Sequence, residues 1–77
     1  MYRLLDIIFN TVQDYPIAHN PIRKVCDVVI RDLRDRGYTA TMEDDSHRNY
    51  RIIAVEGHRY RIIRNPSWMR YDVLLID

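Results

Sequence analysis

Tyr50-Arg51-Ile52-Ile53-Ala54-Val55-Glu56-Gly57-His58-Arg59-Tyr60-Arg61-Ile62-Ile63 is the stretch that decides the fold. The tetrad Tyr-Arg-Ile-Ile occurs at 50–53 and again at 60–63, in runs rich in β-branched and aromatic side chains with a short polar break between them. Two such runs around a glycine-containing break predict a β-hairpin, with strands over 48–55 and 59–64. Its register matters, because a slip of one residue carries every side chain to the opposite face. A two-residue loop at Glu56-Gly57 pairs Ile52 with Arg61 and mixes arginine into the apolar face. A three-residue loop, Glu56 to His58, puts Tyr50, Ile52, Ala54, Tyr60 and Ile62 together on a face without charge. The three-residue loop is therefore the expectation. The opposite face then carries Arg51, Ile53, Val55, Arg59, Arg61 and Ile63.

C-terminal to the hairpin, Asn65-Pro66-Ser67 breaks the strand, and Tyr71, Val73 and Leu75 alternate with Asp72, Leu74 and Ile76. This predicts a final strand, with Leu74 and Ile76 enlarging the second face. On the other side, Tyr38, Ala40 and Met42 alternate with Thr39 and Thr41, a half-buried strand followed by a polar turn at Glu43 to His47. Further upstream the period becomes helical. Ile22, Val25, Cys26, Val29, Ile30 and Leu33 cover one arc, and Arg23, Asp27, Arg31, Arg34 and Asp35 cover the other. Asn20-Pro21 is expected to start this helix, with asparagine as N-cap and proline in the first turn, and Gly37 to end it. Leu4, Ile8 and Val12, with Leu5, Phe9 and Tyr2 widening the stripe, predict a first amphipathic helix that Tyr15-Pro16 terminates. Its apolar arc is wider than one sheet contact needs, so Tyr2 and Phe9 are expected to meet a second subunit.

The expected fold is α+β: two N-terminal helices packed on one face of a roughly four-stranded antiparallel meander sheet, in the order ααββββ. At 77 residues with 47% apolar side chains, the chain makes a single domain over 1–77. Apolar runs of three or four residues leave no transmembrane span or signal peptide. The lone cysteine, Cys26, excludes an internal disulfide and a zinc cluster, which points to the reducing cytoplasm. It falls on the core arc of the second helix, where a thiolate is disfavoured, so it is not read as a nucleophile. A core this small leaves a thin stability margin, which favours a homodimer.

Twelve basic residues stand against eleven acidic ones, and all the basic residues except Lys24 are arginine. The near-zero total removes the strong cationic bias of a protein that binds mainly by neutralising phosphates. The skew favours the side chain whose planar fork pairs bidentately and stacks. Position refines this: from Arg48 to Arg70 there are six arginines and Glu56 is the one acid, interleaved with Tyr50, Tyr60 and Trp68. Arginine among aromatic and aliphatic side chains is the composition of a protein interface and its anchors. Nucleic-acid binding by the basic hairpin is the alternative. Trp68-Met69, two large apolar groups in a loop, either close the core's edge or form a binding anchor.

Enzymatic signals are weak. His19, His47 and His58 lie in separate loops, Glu43-Asp44-Asp45 lacks the glycine and further ligands of a calcium loop, and two glycines cannot make a phosphate loop. Neither metal nor cofactor is implied. Arg34-Asp35-Arg36-Gly37-Tyr38 at a helix end, followed by a strand and then Asp45-Ser46-His47, resembles the HicA-type ribonuclease toxins, whose domain is similar to a double-stranded-RNA-binding fold. That resemblance covers about half of the chain. It implies that His47 is a general acid/base on an RNA 2′-hydroxyl. The chain departs from that pattern in having Asp45 in place of a glycine, an extra first helix, and no helix after the sheet.

The functional expectation is a small non-enzymatic regulator or inhibitor, of the kind phages and mobile elements encode, that occludes a larger host protein. Its expected contact residues are Arg51, Arg59, Arg61, Ile53, Val55, Ile63 and Trp68. The expected subunit interface uses Tyr2, Phe9, Leu74 and Ile76.

Overall fold

Helical and two-residue periodicities resolve where the sequence places them. The computed structural model describes residues 2–77, with side chains from residue 3 onward. Helix α1 spans Tyr2–Gln13 and α2 spans Ile22–Asp35, followed by β1 (Ala40–Asp44), β2 (Tyr50–Val55), β3 (His58–Asn65) and β4 (Arg70–Leu75). The strands pair antiparallel in the order β1-β2-β3-β4, a meander with both helices on one face. α1 lies over β4, and α2 lies over β1 and β2.

Packing explains the division of each element. From α2, Val25, Cys26 and Leu33 are fully buried, and from α1 Ile8 and Val12 join them. The sheet answers with Ala40, Ile53, Val55, Tyr60, Ile62 and Tyr71. The accessible surface is 5003 Å² for 9.4 kDa. A compact monomer of that mass exposes about 5,000 Å². The chain on its own is thus as compact as a monomer of its mass.

Helix α2 ends in a Schellman motif: the Gly37 amide donates to the Arg34 carbonyl at 3.0 Å and the Tyr38 amide to the Leu33 carbonyl at 3.0 Å. Gly37 takes φ +95°, which is free for glycine alone. The start of α2 differs from expectation. Pro21 itself is the N-cap residue and no side chain caps the helix. The Asn20 side-chain Nδ2 donates instead to the Pro16 carbonyl at 2.9 Å, and the Asn20 backbone carbonyl accepts the Tyr71 hydroxyl. The Asn20 side chain is thus turned back into the interhelical loop, which its backbone carbonyl ties to β4.

The hairpin register corrects the three-residue expectation. Val55 pairs with His58, Ile53 with Tyr60 and Ile52 with Arg61, so the loop is the two-residue Glu56-Gly57. Both loop residues have positive φ, +50° and +80°, as in a type I′ turn, whose twist matches the flanking strands. This turns β2 over. Ile53 and Val55 face the helices and Ile52 and Ala54 face away. Arginine does enter the helix-facing side, as a two-residue loop requires, but only at its end: Arg51 pairs with Ile62 there, and its side chain keeps 17% exposure and reaches toward Asp45 at 3.8 Å. A long aliphatic stem can lie under a helix while its head reaches water. The bulkier β-branched pair Ile53 and Val55 thus fills the core.

Both sheet edges are partly satisfied by helix side chains. Arg34 Nε donates to the Ala40 carbonyl at 2.9 Å, and Gln13 Nε2 donates to the Tyr71 carbonyl at 3.1 Å. Such coverage blunts edge-to-edge pairing.

Candidate partner-binding face

Among the described residues nothing forms a layer over the side of the sheet turned away from the helices. Register gives its layout in rows across the strands. Thr41, Ala54, Arg59 and Ile76 form one row; Asp44, Ile52, Arg61 and Leu74 the next; Tyr50, Ile63 and Asp72 a third. A bulge in β1 lets Glu43 and Asp44 together oppose Ile52, which sets two carboxylates at this margin. Ile52, Ala54, Ile63 and Ile76 are half-buried and Leu74 is 52% exposed. Aliphatic side chains on an uncovered sheet face are unusual in a monomer.

Two of the three arginines on this face have acids of their own. The Arg59 guanidinium grips Asp77 with bonds of 2.8–3.1 Å, and Arg70 Nε donates to Asp72 at 2.9 Å. Asn65 also donates to Asp72, at 2.9 Å. The Asp77 partnership holds its carboxyl below the ordinary aspartate value and lifts Arg59 above its own. Arg61 differs. Its Cζ sits 4.6 Å from the Tyr50 ring centre, a cation–π contact, and its Nε is buried without an acceptor. Among the described residues no carboxylate pairs with it. Tyr50 also stacks with the His47 ring, centroids 4.1 Å apart at 20°. The face therefore holds one oriented, unneutralised guanidinium between Ile52 and Leu74.

At the tip of the β3–β4 hairpin, Trp68 is 71% and Met69 59% exposed, and the Arg70 guanidinium lies 5.8 Å from the Trp68 ring centre. Of the two expected roles for this tryptophan, closing the core is ruled out by that exposure. The tip is continuous with the open face through Arg70.

The structure brings together Arg59, Arg61, Ile63, Leu74 and Ile76, with Trp68 at the margin, and separates the remaining expected contacts. Ile53 and Val55 are fully buried under the helices and cannot meet a partner. Arg51 lies on the helix-facing side. Phe9 is half-buried on α1, so the sheet stands between it and Leu74 and Ile76; the Tyr2 side chain lies outside the described residues. Sequence reasoning missed Tyr50, Ile52 and Ala54 on the open face. The signal was present in Glu56-Gly57, a glycine-second dipeptide between two β-rich runs, which favours the two-residue turn.

Elsewhere the chemistry is sparse. Among the described residues no three histidine, cysteine or acidic side chains converge on a point. His47 Nε2 lies 3.8 Å from Asp44, whose oxygen is held by the Ser46 amide and hydroxyl at 2.9 and 2.6 Å. Where the toxin resemblance calls for a helix after the sheet, the chain forms β4, so that pattern ends at His47. Burial pushes the Cys26 thiol up to about 12. A groove of about 570 Å³ runs along the outer face of α2, lined by Arg23, Lys24, Asp27, Val28 and Arg31, but it is framed by exposed side chains of one helix. Among the described residues no helix is long and apolar enough to cross a membrane. No family model matches the chain, and no curated protein or solved structure matches it significantly.

Proposed function

We propose that the protein is a non-enzymatic interaction module whose docking surface is the open sheet face. The observation that carries this reading is Arg61: a guanidinium without an acid, held by Tyr50 and flanked by Ile52 and Leu74. Arginine forks and aromatic anchors set among aliphatic side chains dominate the binding energy of protein interfaces. Nucleic acid fits less well. Two of the three arginines on the face are already paired with aspartate, and Glu43 and Asp44 add negative charge at its margin, so phosphates would meet little free positive charge. Bound in this way, the module acts sterically as a small regulator or inhibitor, covering a surface of a larger protein, with Trp68 entering an apolar pocket beside the main contact. A buried, unreactive cysteine suits a reducing cytoplasm.

Pull-down from the native host, read by mass spectrometry, tests the reading. Proteins captured by the wild type and lost with Arg61→Glu plus Leu74→Asp are the expected result. Identical capture by both forms sinks it. So does a steeply salt-dependent affinity for RNA or DNA, which makes the basic hairpin a nucleic-acid site instead.

A further inference from the structure

We propose that the open face takes a segment of a partner protein that carries one carboxylate, from Asp or Glu, among aliphatic side chains, and that Arg61 sets this requirement. The inference deepens the reading of the face as a docking surface and rests on it. Charge on the face selects the occupant. Arg59 is gripped by Asp77 and lies in the field of Glu43 as well, and Arg70 is held by Asp72. Asp44, at the β1 margin, is engaged by the Ser46 amide and hydroxyl. Of the three arginines only Arg61 brings a charge that no acid among the described residues answers.

The side chain is arranged for such a partner. Tyr50 holds the guanidinium by its ring face, and His47 stacks on Tyr50, so the group is oriented before anything binds. Its Nε is covered, and among the described residues its terminal nitrogens have no acceptor. What remains is an end-on pair of N–H donors, which matches the two oxygens of one carboxylate. A phosphate fits worse. It carries about −1.5 to −2 at neutral pH, and the other two arginines of the face are taken, while Glu43 and Asp44 oppose the excess.

Arg61 also decides what the face refuses. Ile52 and Leu74 flank it in one row, so a partner that covers them covers the guanidinium too. A purely apolar partner would strand that charge away from water, which is strongly unfavourable unless an acid arrives with it. The aliphatic side chains supply area and the arginine supplies discrimination. Four strands about 4.8 Å apart give a face about 15–20 Å across, room for one helix or strand of a partner.

Panning a phage library of short random peptides against the immobilised protein tests this. Enriched peptides are expected to share one Asp or Glu with aliphatic neighbours. Their affinity should fall about tenfold or more when that acid becomes its amide, and equally when the protein carries Arg61→Met. Arg61→Lys, which keeps the charge and loses the fork, should fall between. A peptide with arginine in place of its acid should bind Arg61→Glu better than the wild type, which also shows that variant to be folded. Peptides that lose binding with Leu74→Asp yet ignore Arg61→Met and the amide change overturn the carboxylate and leave the docking face standing. Tighter binding when phosphoserine replaces the acid does the same. A wild-type mass of two chains in sedimentation, abolished by Leu74→Asp, puts a second copy on the face and overturns the partner segment. If no peptide is enriched, or none responds to Leu74→Asp, the docking face fails as well.

Discussion

Tyr60 and Tyr71 are both fully buried, yet their hydroxyls have opposite fates. Tyr71 donates to the Asn20 carbonyl and so ties β4 to the interhelical loop, whereas the Tyr60 hydroxyl is buried without an acceptor. An unmade hydrogen bond costs about 1–3 kcal/mol, and phenylalanine keeps the ring that fills the core. Tyr60→Phe should therefore raise the thermal midpoint by several degrees, since about 1 kcal/mol moves a domain of this size by roughly 4–8 °C. Tyr71→Phe should lower it. A fall in both variants would show that the Tyr60 hydroxyl has a partner after all. At Glu56 the issue is charge. The Thr39 hydroxyl and amide hold its carboxyl below the ordinary value of 4.5. A group whose value is depressed on folding stabilises the fold in full above its unfolded value, and that contribution is lost as pH falls through the folded one. The thermal midpoint should accordingly decline below about pH 4.5. In Thr39→Val this decline should be shallower; an unchanged slope would remove Glu56 from the account.

At the scale of single elements, β2 offers a comparison within one residue type. Ile53 is fully buried beneath the helices, whereas Ile52 lies half-buried on the open face. Ile53→Ala should cost about 2–5 kcal/mol in urea unfolding and Ile52→Ala under about 1 kcal/mol. Equal costs would contradict the register. Turn geometry supplies a second contrast. Gly37 at φ +95° suits glycine, while Met69 holds φ +53° at the exposed hairpin tip. Gly37→Ala should lose about 1 kcal/mol, and Met69→Gly should lose nothing. These positions also show what the amino-acid order made legible. The helices and the strand count followed from periodicity, and Gly37 from its place after the last apolar position. The cap at Asn20 did not, because its groups serve Pro16 and Tyr71, the latter 51 positions away. The register of β2 was misjudged because a charge-free face was preferred, although at the sheet's end Arg51 buries its stem and Nε and only the tip of its guanidinium reaches toward Asp45. That one slip sent Ile53 and Val55 to the wrong side and hid Tyr50, Ile52 and Ala54, while the β3 and β4 contacts were placed on the right face.

Taken as a whole molecule, the fold puts its one thiol and its one indole at opposite extremes of exposure. Cys26 is fully buried between the helix layer and the sheet, whereas Trp68 stands 71% exposed at a hairpin tip that contributes nothing to the core. Every layer must part before water reaches Cys26, because α2 lies over β1 and β2 and α1 closes the side above β4. With the thiol pushed up to about 12, the folded state also withholds the thiolate that reacts with disulfide reagents. Labelling of Cys26 by an aromatic disulfide reagent should thus be slow and should follow global unfolding, speeding up as urea lowers the free energy of opening. Tryptophan emission should change little across the same transition, while far-ultraviolet circular dichroism loses helix and sheet signal together. Fast labelling under native conditions would mean that α2 opens separately from the sheet, and a large shift in emission on unfolding would mean that Trp68 is packed against the protein.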